Sequence, residues 1–407
     1  MDRRSFLITS ALSASTAGMA ANAACAAPKP EGLRTGADVL AAENWQRISG
    51  RRIGVVTNPT GVLSSLVHVV DAMHAGGDVD IAAVFGPEHG FRGTSQAGGS
   101  EGDYADPRTG LPVYDTYGAS ADKIAEMFRK AGVEQVVFDI ADVGARFYTY
   151  IWTMYDAMVA ASRTGASFLV LDRPNPLGGT RVAGPTLDPR FASGVGRLPI
   201  VLQHGMTVGE LAKLFAAEHL GAPLQLDVVQ VEGWRGRDAD AGLPWVPPSP
   251  NMPTPDTAAV YPGTGLFEGT TWSEGRGTTR PFEIIGAPGV DWRWAEDLNA
   301  AGLAGVRFRE TYFVPTFSKH TGATCGGVQI YRSGEIDSIE VAVAMLVTAR
   351  RQYPFGWRED LMIDKLSGSD RLRTMVDSGA DVAAIVGSWQ EELAGFRRTR
   401  EPYLLYS

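Results

Sequence analysis

A chain of 407 residues exceeds what one hydrophobic core usually organises, about 250–300 residues, and so predicts two packed domains. Its 44% hydrophobic and 20% charged content is that of a folded protein. The 48 glycines and 24 prolines fall between apolar runs without a period, which excludes collagen-like and disordered classes. The formal net charge of −9 argues against nucleic acid as the main ligand, because phosphate binding needs a basic face.

The N-terminus reads as an address. Asp2-Arg3-Arg4-Ser5-Phe6-Leu7 resembles a twin-arginine export motif, followed by a small apolar stretch from Ile8 to Ala20 and the small-x-small site Ala21-Asn22-Ala23. Residues 1–23 are therefore expected to be an export signal, residues 24–36 a linker, and the product periplasmic or secreted. The stretch is too short and too rich in Ala, Ser and Thr for a membrane span. Asn22 rather than Leu three residues before Cys25 speaks against a lipid anchor there. Cys325 is the only cysteine inside the expected fold and should be free and buried.

From residue 37 to about 243, short apolar runs alternate with helical patterns. Strands are predicted at Arg52–Thr57, Val79–Phe85, Gln135–Ile140, Ser167–Leu171 and Leu226–Val231. Helices are predicted at Leu66–Ala75, Ser120–Ala131, Tyr150–Arg163 and Thr207–His219, the last opened by the capping-box pair Thr207 and Glu210. Unbroken apolar strands alternating with helices imply a doubly wound parallel sheet, an α/β domain. The proline-rich stretch Gly242–Pro255 cannot be helix or central strand, so the crossover to a second domain is expected there. Residues 244–407 read as a smaller α+β domain, with helices near Trp292–Ala300 and Ile336–Gln352.

In an open parallel sheet, ligands bind beyond the carboxyl ends of the strands. Those ends carry Asn58 after the first strand, Glu88, His89 and Arg92 after the second, Asp139, Asp142, Arg146 and Tyr148 after the third, and Asp172 and Arg173 after the fourth. The first βα turn, Asn58-Pro59-Thr60-Gly61, lacks a dinucleotide fingerprint, and neither a phosphate-binding loop, a zinc-protease motif nor a nucleophile elbow is present. Carboxylate chemistry remains. Glu88, between Pro87 and the glycine that follows His89, is projected by a sharp turn and suits the proton donor of glycoside cleavage; His89 can tune it or hold substrate. A loop from Phe267 to Glu283, carrying Glu268, Trp272, Glu274, Arg276 and Arg280 among glycines, suits ligand binding across an interdomain cleft, and the irregular spacing of Phe267 and Trp272 argues against core roles. No cofactor and no metal are expected.

The motifs Gly86–Gly93, Asp139–Tyr150, Leu171–Gly179, Ser249–Pro253, Tyr261–Gly269 and Glu274–Glu283 resemble the DUF1343 family, which includes exo-β-N-acetylmuramidases. The resemblance runs from about Gly50 to the C-terminus. It implies a Rossmann-like domain, a smaller C-terminal domain and an active site between them. It also implies release of N-acetylmuramic acid from the non-reducing end of peptidoglycan fragments, with Glu88 as the catalytic glutamate and Asn251 among the substrate-facing residues. The lactyl carboxylate of that sugar calls for a cation, and Arg146, Arg276 and Arg280 are the candidates. Two other readings stay open: a periplasmic muropeptide-binding protein without turnover, and an amidase or esterase whose metal would need Glu88, His89 and Asp139 to converge. Oligomeric state is not legible.

Overall fold

The computed structural model describes residues 32–236 and 242–406. The predicted export signal, and the linker up to residue 31, lie outside the described residues. The first half of the chain supplies β1 (Arg52–Thr57), β2 (Asp80–Gly86), β3 (Tyr104–Ala105), β4 (Pro112–Asp115), β5 (Gln135–Asp139), β6 (Ser167–Leu171), an antiparallel ribbon of β7 (Ala183–Thr186) and β8 (Val201–Gln203), and β9 (Leu226–Val229). Seven of these form one sheet in the order β3-β4-β2-β1-β5-β6-β9, parallel throughout except for the short edge pair β3–β4. Counting only the parallel strands, the order is 3-2-1-4-5-6, the Rossmann arrangement, with its switch point between β1 and β5. The expectation of a doubly wound sheet holds.

Alternation along each strand divides its side chains between two apolar layers. Ile53, Val55, Val137, Leu169 and Leu171 face the layer covered by α1 (Gly36–Ala42) and α2 (Val69–Gly76). Val56, Val136, Phe138, Phe168 and Val170 face the layer covered by α3 (Ala121–Ala131), α4 (Tyr150–Thr164) and α5 (Val208–Glu218). The capping box of Thr207 and Glu210 opens α5 as its spacing predicts. A second box, Thr35 with Asp38, opens α1, so ordered structure begins inside the segment expected to be linker.

Register aligns the strand ends. Thr57 pairs with Asp139, Val56 with Phe85, and Phe138 with Val170, so β1, β2, β5 and β6 deliver their following loops to one edge.

Residues 242–254 form neither helix nor strand, and α6 (Pro255–Thr264) follows. The C-terminal part contains an antiparallel sheet of β10 (Ile284–Ala287), β11 (Val306–Phe313) and β12 (Cys325–Arg332), in the order β10-β12-β11. Helices α7 (Arg293–Ala300) and α8 (Ser338–Gln352) occupy the expected positions. Four short helices close the chain: α9 (Met362–Ser367), α10 (Arg371–Asp377), α11 (Val382–Gly387) and α12 (Gln390–Arg400). Cys325 is free and buried.

The tail then returns to the first sheet. The Tyr406 hydroxyl donates to Asp172 at 2.6 Å and accepts from Val231 N at 2.9 Å, while Leu405 N donates to Glu210 at 2.8 Å. From Leu33 onward the chain is accordingly one compact unit. A cut at residue 243 would separate the Rossmann domain from residues that complete it.

Candidate functional site

The loop after β2 turns because two consecutive residues adopt left-handed backbone: His89 has φ +71° and Gly90 φ +89°. A Cβ on Gly90 would stand 2.2 Å from the Glu101 side chain, so only glycine fits. Glu101 holds the loop by accepting from Arg92 N (3.3 Å), Thr94 N (3.0 Å) and the Tyr104 hydroxyl (2.8 Å). On this tether Glu88 stands half-buried. Its Oε1 accepts from Gly98 N at 2.8 Å, and Oε2 receives a longer contact from the Thr149 hydroxyl at 3.4 Å.

A seam of three tyrosines adjoins the Glu88 backbone through Tyr150. The Tyr150 hydroxyl donates to Pro248 O at 2.7 Å and lies 3.4 Å from Glu88 O. Burial raises its pKa, which keeps it a proton-bearing donor at neutral pH; the Asn58 side chain acts against that shift. Asn58 itself is fully buried, its Oδ1 accepting from Thr60 N at 2.9 Å and from the Thr60 hydroxyl at 2.6 Å. Tyr148 packs edge-on against Tyr150, with ring centroids 5.2 Å apart, and against Tyr261, at 5.7 Å. Burial, then the charge of Glu268, raises the Tyr261 phenol, and Glu88 and Asp142 add to the effect while Arg276 opposes it. Carboxylates from both halves of the chain therefore act electrostatically on Tyr261. Tyr261 opens one of the family-like motifs but is not among the candidate site residues, since its approach to the strand-end loops is set by how α6 packs.

The C-terminal loop is an ion-paired network. Arg276 Nε lies 3.1 Å from Glu268 and 3.3 Å from Glu274, and its guanidinium stands 5.1 Å from the Phe282 ring centroid. Burial raises the Glu268 carboxyl although Arg276 opposes the shift. Lys319 pairs with Glu274 at 2.8 Å and donates to the carbonyls of Phe267 (2.8 Å), Trp272 (3.0 Å) and Glu268 (3.2 Å). No motif flags Lys319, which lies far along the chain from the loop it secures. Arg280, more exposed, pairs with Glu283 at 3.2 Å.

Several expected site residues have other partners. Asp139 and Arg173 form a buried bidentate pair at 2.6 and 2.9 Å, so neither presents a free charge. Asp172, completely buried, accepts from Arg173 N (3.0 Å), Gly209 N (2.8 Å), and the Thr207 (2.7 Å) and Tyr406 hydroxyls. Arg146 is also fully buried and donates to the carbonyls of Pro185 (3.0 Å), Ile200 (2.9 Å) and Leu366 (2.9 Å); this removes it from the candidates for the lactyl carboxylate. Arg92 bridges Asp71 and Asp106. His89 Nδ1 meets Ser95 O at 3.0 Å, which makes the histidine a support of its own loop. Glu88, His89 and Asp139 do not converge. Phe267 and Trp272 are core residues, the indole packing on Trp294 at 4.9 Å and donating to Pro354 O at 3.0 Å. Their irregular spacing reflects a 3₁₀ turn and loop, where helical periodicity does not apply. Asn251 is buried in the turn that Met252 N closes onto Ser249 O at 3.0 Å.

Two family descriptions match the chain, "Exo-beta-N-acetylmuramidase NamZ, N-terminal" over residues 53–256 and the corresponding C-terminal description over residues 259–406. The chain belongs to the exo-β-N-acetylmuramidase NamZ family. It is 46% identical over 387 residues to the peptidoglycan β-N-acetylmuramidase NamZ of Bacillus subtilis (strain 168), covering 93% of this chain and 92% of that protein. Two solved DUF1343 proteins from Bacteroides fragilis NCTC 9343 share the fold. One has a TM-score of 0.86 at 33% identity, covering 93% of this chain and 100% of its own. The other has a TM-score of 0.73 at 29% identity, covering 93% and 99%. The two NamZ segments meet between residues 256 and 259, inside the start of α6 and past the proline-rich stretch.

At that junction lies a cavity of about 370 Å³. Its walls come from the loop after β1 (Thr60, Val62), the loop after β5 (Asp142), Arg173 after β6, and Trp245 and Pro248 of the proline-rich stretch. Glu88 does not line it. Tyr150, bonded to Pro248 and beside Glu88 O, stands between the two.

Proposed function

We propose that this chain is an exo-acting β-N-acetylmuramidase that releases N-acetylmuramic acid from the non-reducing end of peptidoglycan fragments, with Glu88 as the general acid. The supporting observation is one carboxylate on a tight turn at the sheet's switch-point edge, with few partners and with its backbone against Tyr150, in a chain 46% identical to a peptidoglycan β-N-acetylmuramidase. Glu88 delivers a proton to the leaving glycosidic oxygen as that bond breaks. Gly98 N and the Thr149 hydroxyl orient the carboxyl, and Tyr150 restrains the backbone beneath it. Arg276 is the cation proposed for the lactyl carboxylate: its guanidinium stands 5.1 Å from the Phe282 ring, which packs edge-on against Tyr261 of the seam at 4.7 Å.

Turnover of chromogenic N-acetylmuramic acid and N-acetylglucosamine glycosides tests this. Only the first sugar carries the carboxylate. The sugar without a carboxylate forgoes its charged contact with Arg276, so the muramic glycoside should be preferred by about tenfold or more. Comparable rates on both would remove the charge-selection reading, and binding without release would favour a solute-binding protein. Export by the twin-arginine route is part of the proposal: lysine at both Arg3 and Arg4 should leave the protein in the cytoplasm, and unchanged periplasmic recovery would refute it.

A further inference from the structure

Parallel register places a second side chain beside Glu88. Gly86 at the end of β2 pairs with Asp115 at the end of β4, so Glu88 and Tyr117 each stand two residues beyond a paired position. The two loops are stitched together. Thr116 donates to Gly86 O through its backbone N–H at 2.9 Å and through its hydroxyl at 2.8 Å. The Ser100 hydroxyl donates to Asp115, two residues after the Gly98 N–H that holds Glu88. Tyr117 itself sits on a braced turn: its N–H donates to Asp115 Oδ1 at 2.9 Å, and Ala119 N closes onto Thr116 O at 3.1 Å. Its side chain is 42% exposed, and among the described residues no other aromatic ring and no cation stacks on it. Burial, and then the charge of Glu88, raises the pKa of its phenol. Tyr150 and Tyr261 also feel Glu88, but both are buried. Tyr117 combines reach of that charge with an open ring.

A proton donor for glycoside cleavage meets the oxygen between two sugars, so its substrate extends to both sides of it. Sheet order decides what lies on each side. β1 and β5, with the tyrosine seam that leads to Arg276, lie on one side of β2, and β4 with Tyr117 lies on the other. We propose that Tyr117 is the stacking platform for the leaving saccharide, the sugar that departs when its bond to N-acetylmuramic acid breaks. The inference rests on the glycosidase reading above and names the residue that binds the other half of the substrate. A β-linked pyranose carries axial C–H bonds on its faces, and these pack against the electron-rich face of an aromatic ring. A tyrosine on a braced turn has few torsions to immobilise, so the contact costs little conformational entropy. A platform that binds by its face alone also suits a group that must depart after each turnover.

Two substrates that differ only beyond the scissile oxygen test this in the full-length protein. One is the disaccharide of N-acetylmuramic acid β-1,4-linked to N-acetylglucosamine, and the other is the methyl β-glycoside of N-acetylmuramic acid, which has no second sugar. The readout is the ratio of kcat/KM for the disaccharide to kcat/KM for the methyl glycoside. Tyr117→Ala should lower that ratio by about five- to tenfold, the worth of one stacking contact, and Tyr117→Phe, which keeps the ring face, should hold it near the wild-type value. Should the alanine variant fail to fold, Tyr117→Leu removes the ring while keeping apolar bulk and should lower the ratio likewise. A ratio unchanged in the folded variants, including an equal fall on both substrates, overturns the assignment. A loss in Tyr117→Phe as large as in Tyr117→Ala also overturns it, since the hydroxyl and not the ring face would then carry the contact. Absence of muramic acid release by the wild type would instead overturn the glycosidase reading, so the two failures are distinguishable.

Discussion

Asp172 and Asp142 follow neighbouring strands of the same sheet and are both buried, yet their surroundings differ in kind. Asp172 meets four donors, two on each oxygen, drawn from its own loop, the start of α5 and the C-terminal tail. Burial nevertheless outweighs those hydrogen bonds and pushes its pKa up to about 6. Asp142 accepts from Gly144 N on one oxygen only, and its other oxygen is buried without a donor among the described residues. Asp139 belongs with Asp172, its charge closed by Arg173, and Glu88 with Asp142, half-buried with a single short hydrogen bond. Carboxylates at a sheet edge thus sort by how completely the fold satisfies them: closed ones join elements together, and half-buried Glu88 keeps surface for a ligand.

The largest effect should come from an open carboxylate. Glu88→Gln keeps size and polarity but has no proton to deliver, so kcat on a muramic glycoside should fall about 10²- to 10⁴-fold with unchanged thermal stability. Near-normal turnover by the folded variant would take Glu88 out of the mechanism. A closed pair should behave in the opposite way. Arg173→Met leaves Asp139 buried without its cation, which should cost about 3–5 kcal/mol of stability in denaturant unfolding. A loss below about 1 kcal/mol would place this pair among ornamental ion pairs and blur the distinction.

Asp172 sharpens the comparison through pH. Its folded pKa of about 6 lies above the ordinary 3.8, so between those values the folded state binds more protons than the unfolded state. Stability therefore falls as pH rises from about 4 to 6, by about 3 kcal/mol from this group alone. Asp172→Asn removes that contribution, so the stability of the variant relative to wild type should rise across the same window. A pH-independent difference would show that the four donors fully offset burial. The smallest effect is expected at Arg280, whose ion pair with Glu283 is partly solvated: Arg280→Ala should change stability by less than about 1 kcal/mol. A large rise in KM for the muramic glycoside, without a change in stability, would move the lactyl-carboxylate role from Arg276 to Arg280.

Hydrophobic period and turn chemistry made the Rossmann half readable. β1 and β6 lie at their predicted residues, and the capping box of Thr207 and Glu210 opens α5. The edge strands β3 and β4 and the ribbon β7–β8 escaped notice because each has at most four residues, too few for a period to register. Strand-end logic brought Glu88, Asp142, Asn58 and Tyr148 to one edge, and the parallel register bears that placement out. It could not separate them from Asp139, Arg146, Asp172 and Arg173, which share the edge and the residue types.

Local sequence determined the elements, their order and the chemistry gathered at the sheet edge, because propensity, alternation and capping act over a few residues. Tertiary structure decided which of those groups are free to react. The partners that close Asp172 and Arg146 come from Tyr406 and Leu366, more than two hundred residues away, and Lys319 secures a loop some fifty residues before it. Satisfaction of a buried charge depends on donors that only folding brings within about 3 Å, a distance at which sequence spacing carries no information.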